Sequence, residues 1–306
     1  MNIDYYVVTI LTSLLLLLIV SNNISLLTDY LMISGITRRK KGNILVSMSI
    51  IIGLIIEGYK MRGFTDNLLT RYNDKFFALV ILLVIFSLGN IVRLPTSATL
   101  STVGTFIGIS LYSGYNIKPT PLLYLSLIWF MSPLSGLLIS YFLYKHVLLK
   151  ASNPALVKGL GVFSTVFLGY TFGANTLGLL YSVGTTDISL NIPLYILAIL
   201  MGGSLFTAGV GEEISRSVHS YTIKTYASIS LATAMIIEVA SNLSIPVPLT
   251  SLLTITLIGP VLAKKTRFVS THIFKKTILF WILIPLLSAL LSYTTYFLID
   301  TIIASL

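Results

Sequence analysis

Two short stretches of this sequence place a proline and clustered hydroxyls inside otherwise apolar chain. The first is Leu94-Pro95-Thr96-Ser97-Ala98-Thr99-Leu100-Ser101-Thr102 and the second Ile245-Pro246-Val247-Pro248-Leu249-Thr250-Ser251. Proline lacks the N–H that continues a helix, so each stretch suits the start of a half-helix whose free backbone N–H groups point into a cavity. Those N–H groups and the positive end of the helix dipole favour anions. Serine and threonine hydroxyls add donors without a buried charge, which hydrocarbon penalises. The chemistry this pattern suits is capture of an anion by neutral donors.

A second kind of polar interruption also occurs twice, at Ser21-Asn22-Asn23-Ile24-Ser25 and Gly173-Ala174-Asn175-Thr176. Singly, such residues read as hydroxyls back-bonded to their own helix and Asn gluing helices together. Occurrence of both elements once per half favours a functional reading. Three acids join them. Glu57 and Glu238 lie at or near the ends of apolar runs, and Asp29 follows Asn22 by one or two turns. An ionisable group in a span is a functional hypothesis by default, and a carboxyl whose charged form burial disfavours can carry a coupling proton. Glu238 has no basic neighbour in sequence, whereas Glu57 reads equally well as reaching the interface beside Lys60. The two are read separately, because they are 181 positions apart.

Composition sets the solvent. Of 306 residues 55% are hydrophobic and 10% charged, with net charge +10. A soluble chain carries about 25% charged residues, so most of this surface faces lipid. The excess of Lys and Arg then reads as a bias of cytoplasmic loops rather than nucleic-acid binding. With no cysteine and three histidines near basic loops, thiolate chemistry is excluded and a metal site is not expected. The acidic start, MNIDYYVVTILTSLLLLLIV, lacks a cleavage signal and reads as a retained span.

Apolar runs long enough for helices across about 30 Å of hydrocarbon lie at 5–36, 43–59, 76–93, 95–112, 121–144, 158–183, 192–210, 225–243, 245–262 and 277–299. The fold class expected is an all-α membrane protein of about 10 spans with discontinuous or re-entrant helices. The second half repeats the first. Trp129, Pro133, Leu134 and Ser140 recur as Trp281, Pro285, Leu286 and Ser292 at an offset of 152, and Pro95 and Gly108 as Pro246 and Gly259 at 151. Residues 1–150 and 151–306 are therefore read as two repeats. An odd number of spans in each inverts one against the other and puts both termini outside. Inverted repeats with broken helices mark secondary transporters, whose substrate sits at the midplane. The 60–75 loop is the exception to the charge pattern, with four cations on the side that should have few.

Tyr170-Thr-Phe-Gly-Ala-Asn-Thr176 resembles the G-A-N-D signature of the inorganic phosphate transporter (PiT) family. Leu94–Gly104, and more weakly Ile245–Ser251, resemble its P-V-S-T-T-H-A-x-V-G element, and Trp129–Tyr144 its W-x-x-S-P-L-x-G segment. The resemblance implies two inverted repeats that bind phosphate centrally and couple its uptake to sodium or protons. It assigns Asn22, Asn175, Ser97, Thr99 and Thr250 to the anion and Asn23 and Thr176 to the coupling ion. The departures are specific. The signature Asp is Asn23 in one half and Thr176 in the other, and its second Asn is Leu26 and Leu179. The His of the hydroxyl element is Leu100 and Ser251, and a Ser-Thr pair is Pro248-Leu249. Sodium coupling loses its strongest ligands, so a proton carried by Glu238, with Glu57 and Asp29 as further candidates, is the expected coupling ion.

The function expected is cell-membrane transport of inorganic phosphate, with sulfate as alternative cargo and an intramembrane enzyme or a channel as rival classes. Glu212-Glu213-Ile-Ser-Arg216 suggests an intramembrane protease motif, but its Arg is one residue too close and the required His residues are missing. No cofactor beyond a proton or sodium is expected. Expected partners are the oxyanion and membrane lipid, with a homodimer left open and no nucleic acid.

Overall fold

In hydrocarbon every backbone N–H and C=O must find a partner within its own segment, so continuous apolar runs fold as helices. The computed structural model describes residues 3–33, 36–69, 71–92, 97–115, 119–184, 188–205, 222–265 and 271–305. Its helices are α1 (Ile3–Ile33), α2 (Arg39–Glu57), α3 (Arg62–Thr65), α4 (Tyr72–Val92), α5 (Ala98–Tyr112), α6 (Pro119–Phe142) and α7 (Pro154–Phe172). They continue as α8 (Gly178–Tyr181), α9 (Ile188–Leu205), α10 (Ile223–Asn242), α11 (Leu249–Thr256), α12 (Ile258–Lys264) and α13 (Thr271–Ser305). The protein is an all-α membrane protein. Six described segments are long and apolar enough to cross a membrane: Tyr6–Thr28, Arg39–Thr65, Thr120–Leu148, Pro154–Tyr181, Ile223–Asn242 and Ile278–Ile302. By contrast α5, at 15 residues, reaches only about 22 Å at 1.5 Å per residue, so the hydroxyl-led segments are too short to span alone.

The helices recur in order. Ala98 and Leu249, which open α5 and α11, are 151 apart, as are Tyr72 and Ile223, which open α4 and α10. Packing is exchanged between the halves: α1 lies along α9 and α2 along α7, while α5 lies along α13 and α11–α12 along α6. The last two contacts are mates in detail. A side chain on Gly108 would run into the Ala289 carbonyl and the Ser292 hydroxyl; one on Gly259 would run into the Leu137 carbonyl and the Ser140 hydroxyl. Small residues let helix backbones approach where lipid supplies no hydrophobic drive.

The two Asn-centred polar interruptions do not break their helices. Helix α1 runs through Asn22 without interruption, because it contains neither Gly nor Pro and Ser21, Asn23 and Thr28 bond to their own helix. At Asn175 the helix loosens into a π turn, Gly173–Leu177, instead of breaking. The Pro246 break is present. Pro95, Thr96 and the Glu212–Arg216 motif lie outside the described residues, as does the Asp29 side chain.

The bundle has a basic end and a far end. Arg39 opens α2 at the basic end, where Lys224 donates to the Ala151 carbonyl and Lys264 to Thr225. At the far end Gly58 meets Gly178, and Tyr296 and Tyr115 donate to the buried Asp74. The four cations of the 60–75 loop lie there too, each engaged. Lys60 pairs with Glu57 at 3.1 Å and Lys75 with Asp66 at 3.0 Å, while Arg62 and Arg71 stand over the Tyr181 and Tyr115 rings. Two of the four charges, those of Lys60 and Lys75, are thus offset by a local carboxylate.

Candidate functional site

After Asn242 the chain leaves α10, Ser244 takes a left-handed conformation at φ 58°, and Leu249 opens α11. The strip between exposes main-chain groups that no helix satisfies, and three other segments hold them. The Asn175 Nδ2 donates to the Ile245 carbonyl at 2.9 Å, and its Oδ1 accepts from Val247 N–H at 3.0 Å. Trp129 Nε1 donates to the Pro246 carbonyl at 2.7 Å, and the Thr99 hydroxyl to the Val247 carbonyl at 3.3 Å. The Asn175 amide therefore pairs with the strip as a neighbouring strand would. It also donates to the Ser241 hydroxyl at 3.2 Å.

Glycines bring Asn175 into range. A side chain on Gly173 would strike the Ile50 carbonyl, and one on Gly178 would meet the Gly58 backbone at 2.8 Å. The π turn is thus pressed against α2 and its C-terminal turn. Asn175 is fully buried, and so is Thr176, whose hydroxyl has no partner.

Two helix starts converge on this strip. The start of α11 has Pro248 at its cap position and no side-chain cap, so the N–H groups of Leu249, Thr250 and Ser251 have no helical carbonyl to bond. Thr250 is half-buried on that first turn and Ser251 buried. The start of α5 is capped by Ser97, whose hydroxyl accepts from Leu100 N–H at 3.5 Å. Beyond it the Ser101 and Thr102 hydroxyls are buried without partners. Uncapped N–H groups, two positive dipole ends and unused hydroxyls in a water-poor interior can hold an oxyanion without a cation. The site lies by the last turn of α10, not halfway along it, because the break follows directly on that helix.

The other expected residues divide. Asn23 donates its amide to the Ile19 carbonyl at 2.9 Å, a bond within its own helix, and Asn22 is half-buried beside it. Glu57 and Glu238, separate in the sequence reading, are brought together. Their carboxyls lie within hydrogen-bonding reach of each other. Lys60 Nζ bridges Glu57 Oε1 at 3.1 Å and Asn242 Oδ1 at 2.7 Å, and Asn242 Nδ2 donates to Glu238 Oε1 at 3.1 Å. The Tyr170 hydroxyl lies against Glu57, and the Oε2 atom of each acid is buried with no donor. This cluster is one helical turn from Ser241 and hence from Asn175. Asn242 and Ser241 were missed in sequence, since neither departs from the composition around it; Lys60 was read only as an interfacial neighbour of Glu57, and Trp129 as a repeat landmark without a role.

No protein-family model and no curated protein matches the sequence. Among solved structures, one described as "The sodium-dependent phosphate transporter" superposes with a TM-score of 0.84 over 98% of this chain and 100% of its own, at 15% identity. The chain has that transporter's fold. At this identity the likeness speaks for the architecture that carries the Pro246 break and the α5 and α11 starts. It does not transfer the transporter's ligands residue by residue.

Proposed function

We propose that this chain is a secondary active transporter of inorganic phosphate and a divergent member of the inorganic phosphate transporter family. One arrangement carries the reading: the uncapped start of α11 and the hydroxyl-rich start of α5 meet at Val247 and Thr99 within a phosphate transporter's fold. Ser97 and Thr250 are the anion donors and Asn22 a further ligand, while Thr99, whose one hydroxyl proton goes to the Val247 carbonyl, and Asn175 hold the break in the shape that presents them. Sulfate satisfies the same neutral donors and is the alternative cargo. Residues 1–150 and 151–306 form inverted repeats, a reading supported by the mated contacts of Gly108 and Gly259. The chain lies in the cell membrane, with its basic end cytoplasmic and both termini outside.

Coupling falls to Glu57 and Glu238. Two facing carboxyls resist carrying two charges, and Lys60 offsets one of them. A proton shared between the two carboxyls removes the other. Asn23 and Thr176 supply only neutral oxygens, and Asp29 is a further acid on α1. A second reading puts sodium in the proton's place; the sodium dependence named for the structural neighbour favours it.

Labelled phosphate uptake into proteoliposomes, under imposed proton or sodium gradients and with sulfate as competitor, tests both readings. Saturable uptake driven by the proton gradient, indifferent to sodium and lost in Glu238→Gln, is expected. Uptake that follows sodium alone moves the coupling ion to the second reading. If neither anion is taken up, the transporter assignment fails.

A further inference from the structure

Along α10 the residues Tyr226, Ser230, Thr233, Ile237 and Ser241 are spaced by three or four, so they share one face. All five are buried, and Ser230 and Thr233 have no exposure. Other hydroxyls of this helix fold back on its backbone, as Ser228 does to the Thr225 carbonyl at 2.6 Å and Ser241 to the Ile237 carbonyl at 2.8 Å. The Ser230 and Thr233 hydroxyls do neither this nor bond a neighbour. An unpartnered buried hydroxyl has given up the hydrogen bonds it makes in water and gained none in return. Two on one face, between polar groups at both ends, are what a hydrophilic path looks like when closed and dry.

The two ends of this face are of different kinds. At one, Ser241 accepts from Asn175 beside the Pro246 break. At the other, the Tyr226 hydroxyl donates to the Leu27 carbonyl of α1 at 3.2 Å. One residue further, Thr225 accepts from Lys264 Nζ at 2.7 Å, and that ammonium stands over the Tyr144 ring. At 1.5 Å per residue Thr233 and Ser230 lie about 12 and 16 Å from Ser241 toward the basic end. Anything captured at the break must cover that distance to leave at the basic end.

We propose that this face of α10 lines the anion's conduit from the Pro246 break to the basic end, with Thr233 and Ser230 as successive donors, Tyr226 as the closure and Lys264 at the mouth. The proposal rests on the anion-transport reading and names the route. Neutral donors suit transit, because a fixed cation midway would hold the anion too tightly to release it.

The natural chain has no cysteine, so single thiols report the route directly. Ser230→Cys, Thr233→Cys and, as a buried control on the opposite face, Ser228→Cys are reconstituted and treated with sulfonatoethyl methanethiosulfonate, an aqueous anion. The first two are expected to react at least about tenfold faster than the control, and inorganic phosphate to slow them. Separately, Ser230→Ala and Thr233→Val should each lower phosphate uptake about tenfold, as for a lost hydrogen bond to a charged group, while Ser228→Ala does not. Thermal melting of each variant shows that it is folded. Thiols at 230 and 233 that react no faster than at 228 overturn the conduit, and so does reaction that phosphate leaves unchanged. Because labelling needs no net uptake, a protein that labels as expected but moves no phosphate fails the transport reading and not the route.

Discussion

The segments around Asn22 and Asn175 carry similar polar residues 153 positions apart, yet the structure uses them in opposite ways. In α1 Ser21 bonds the Leu18 carbonyl, Asn23 that of Ile19 and Thr28 that of Ile24, all within the helix, while the Ser25 hydroxyl has no partner. Nothing in that helix loosens it. Around Asn175, glycines at 169, 173 and 178 let α2 come close and the helix slackens into a π turn. The amide then faces away from its own backbone and pairs with a strip some 70 residues distant. An Asn in a membrane helix is thus either self-satisfied or a clamp. What decides is whether its neighbours have side chains and whether unpaired backbone lies opposite.

The largest break in this contrast comes from Asn175→Ala, which orphans the Val247 N–H and the Ile245 carbonyl. A loss of about 3 kcal/mol and abolished uptake are expected, against less than about 1 kcal/mol for Asn23→Ala, both read by melting in detergent. Equal effects would mean that the two segments are used alike. Next is Gly173→Ala, which forces α7 off the Ile50 carbonyl and should cost about 1–3 kcal/mol. Gly159→Ala, on the same helix but with open space around it, should gain up to about 1 kcal/mol.

Trp129→Phe sharpens the picture by removing a single donor to the Pro246 carbonyl. About 1 kcal/mol should be lost, with phosphate affinity falling more than melting temperature if the strip's shape matters most to the anion. The smallest stability change is expected from Glu238→Gln. It holds the carboxyl pair in its singly charged form, so folding is preserved while gradient-driven uptake is lost; exchange of phosphate for phosphate without a gradient should persist. A variant that still follows the proton gradient would remove Glu238 from the coupling step.

Much of this was legible in the residues alone. Too few charges for a water-facing surface fixed lipid as the solvent, continuous apolar runs gave helices, and prolines before hydroxyls marked the Pro246 break. Landmark residues recurring at an offset near 152, Trp129 with Trp281 and Pro133 with Pro285 among them, were visible too. These are local or compositional properties, and a chain segment carries them wherever it packs. The clamp made by Asn175 and the meeting of Glu57 with Glu238 were decided by tertiary structure. The two acids are 181 positions apart and unrelated by the repeat, so no spacing could pair them; they meet only because α2 and α10 both end beside the Gly173 turn. Which polar group folds back and which reaches across depends on how closely a second backbone approaches, and that distance is set by packing.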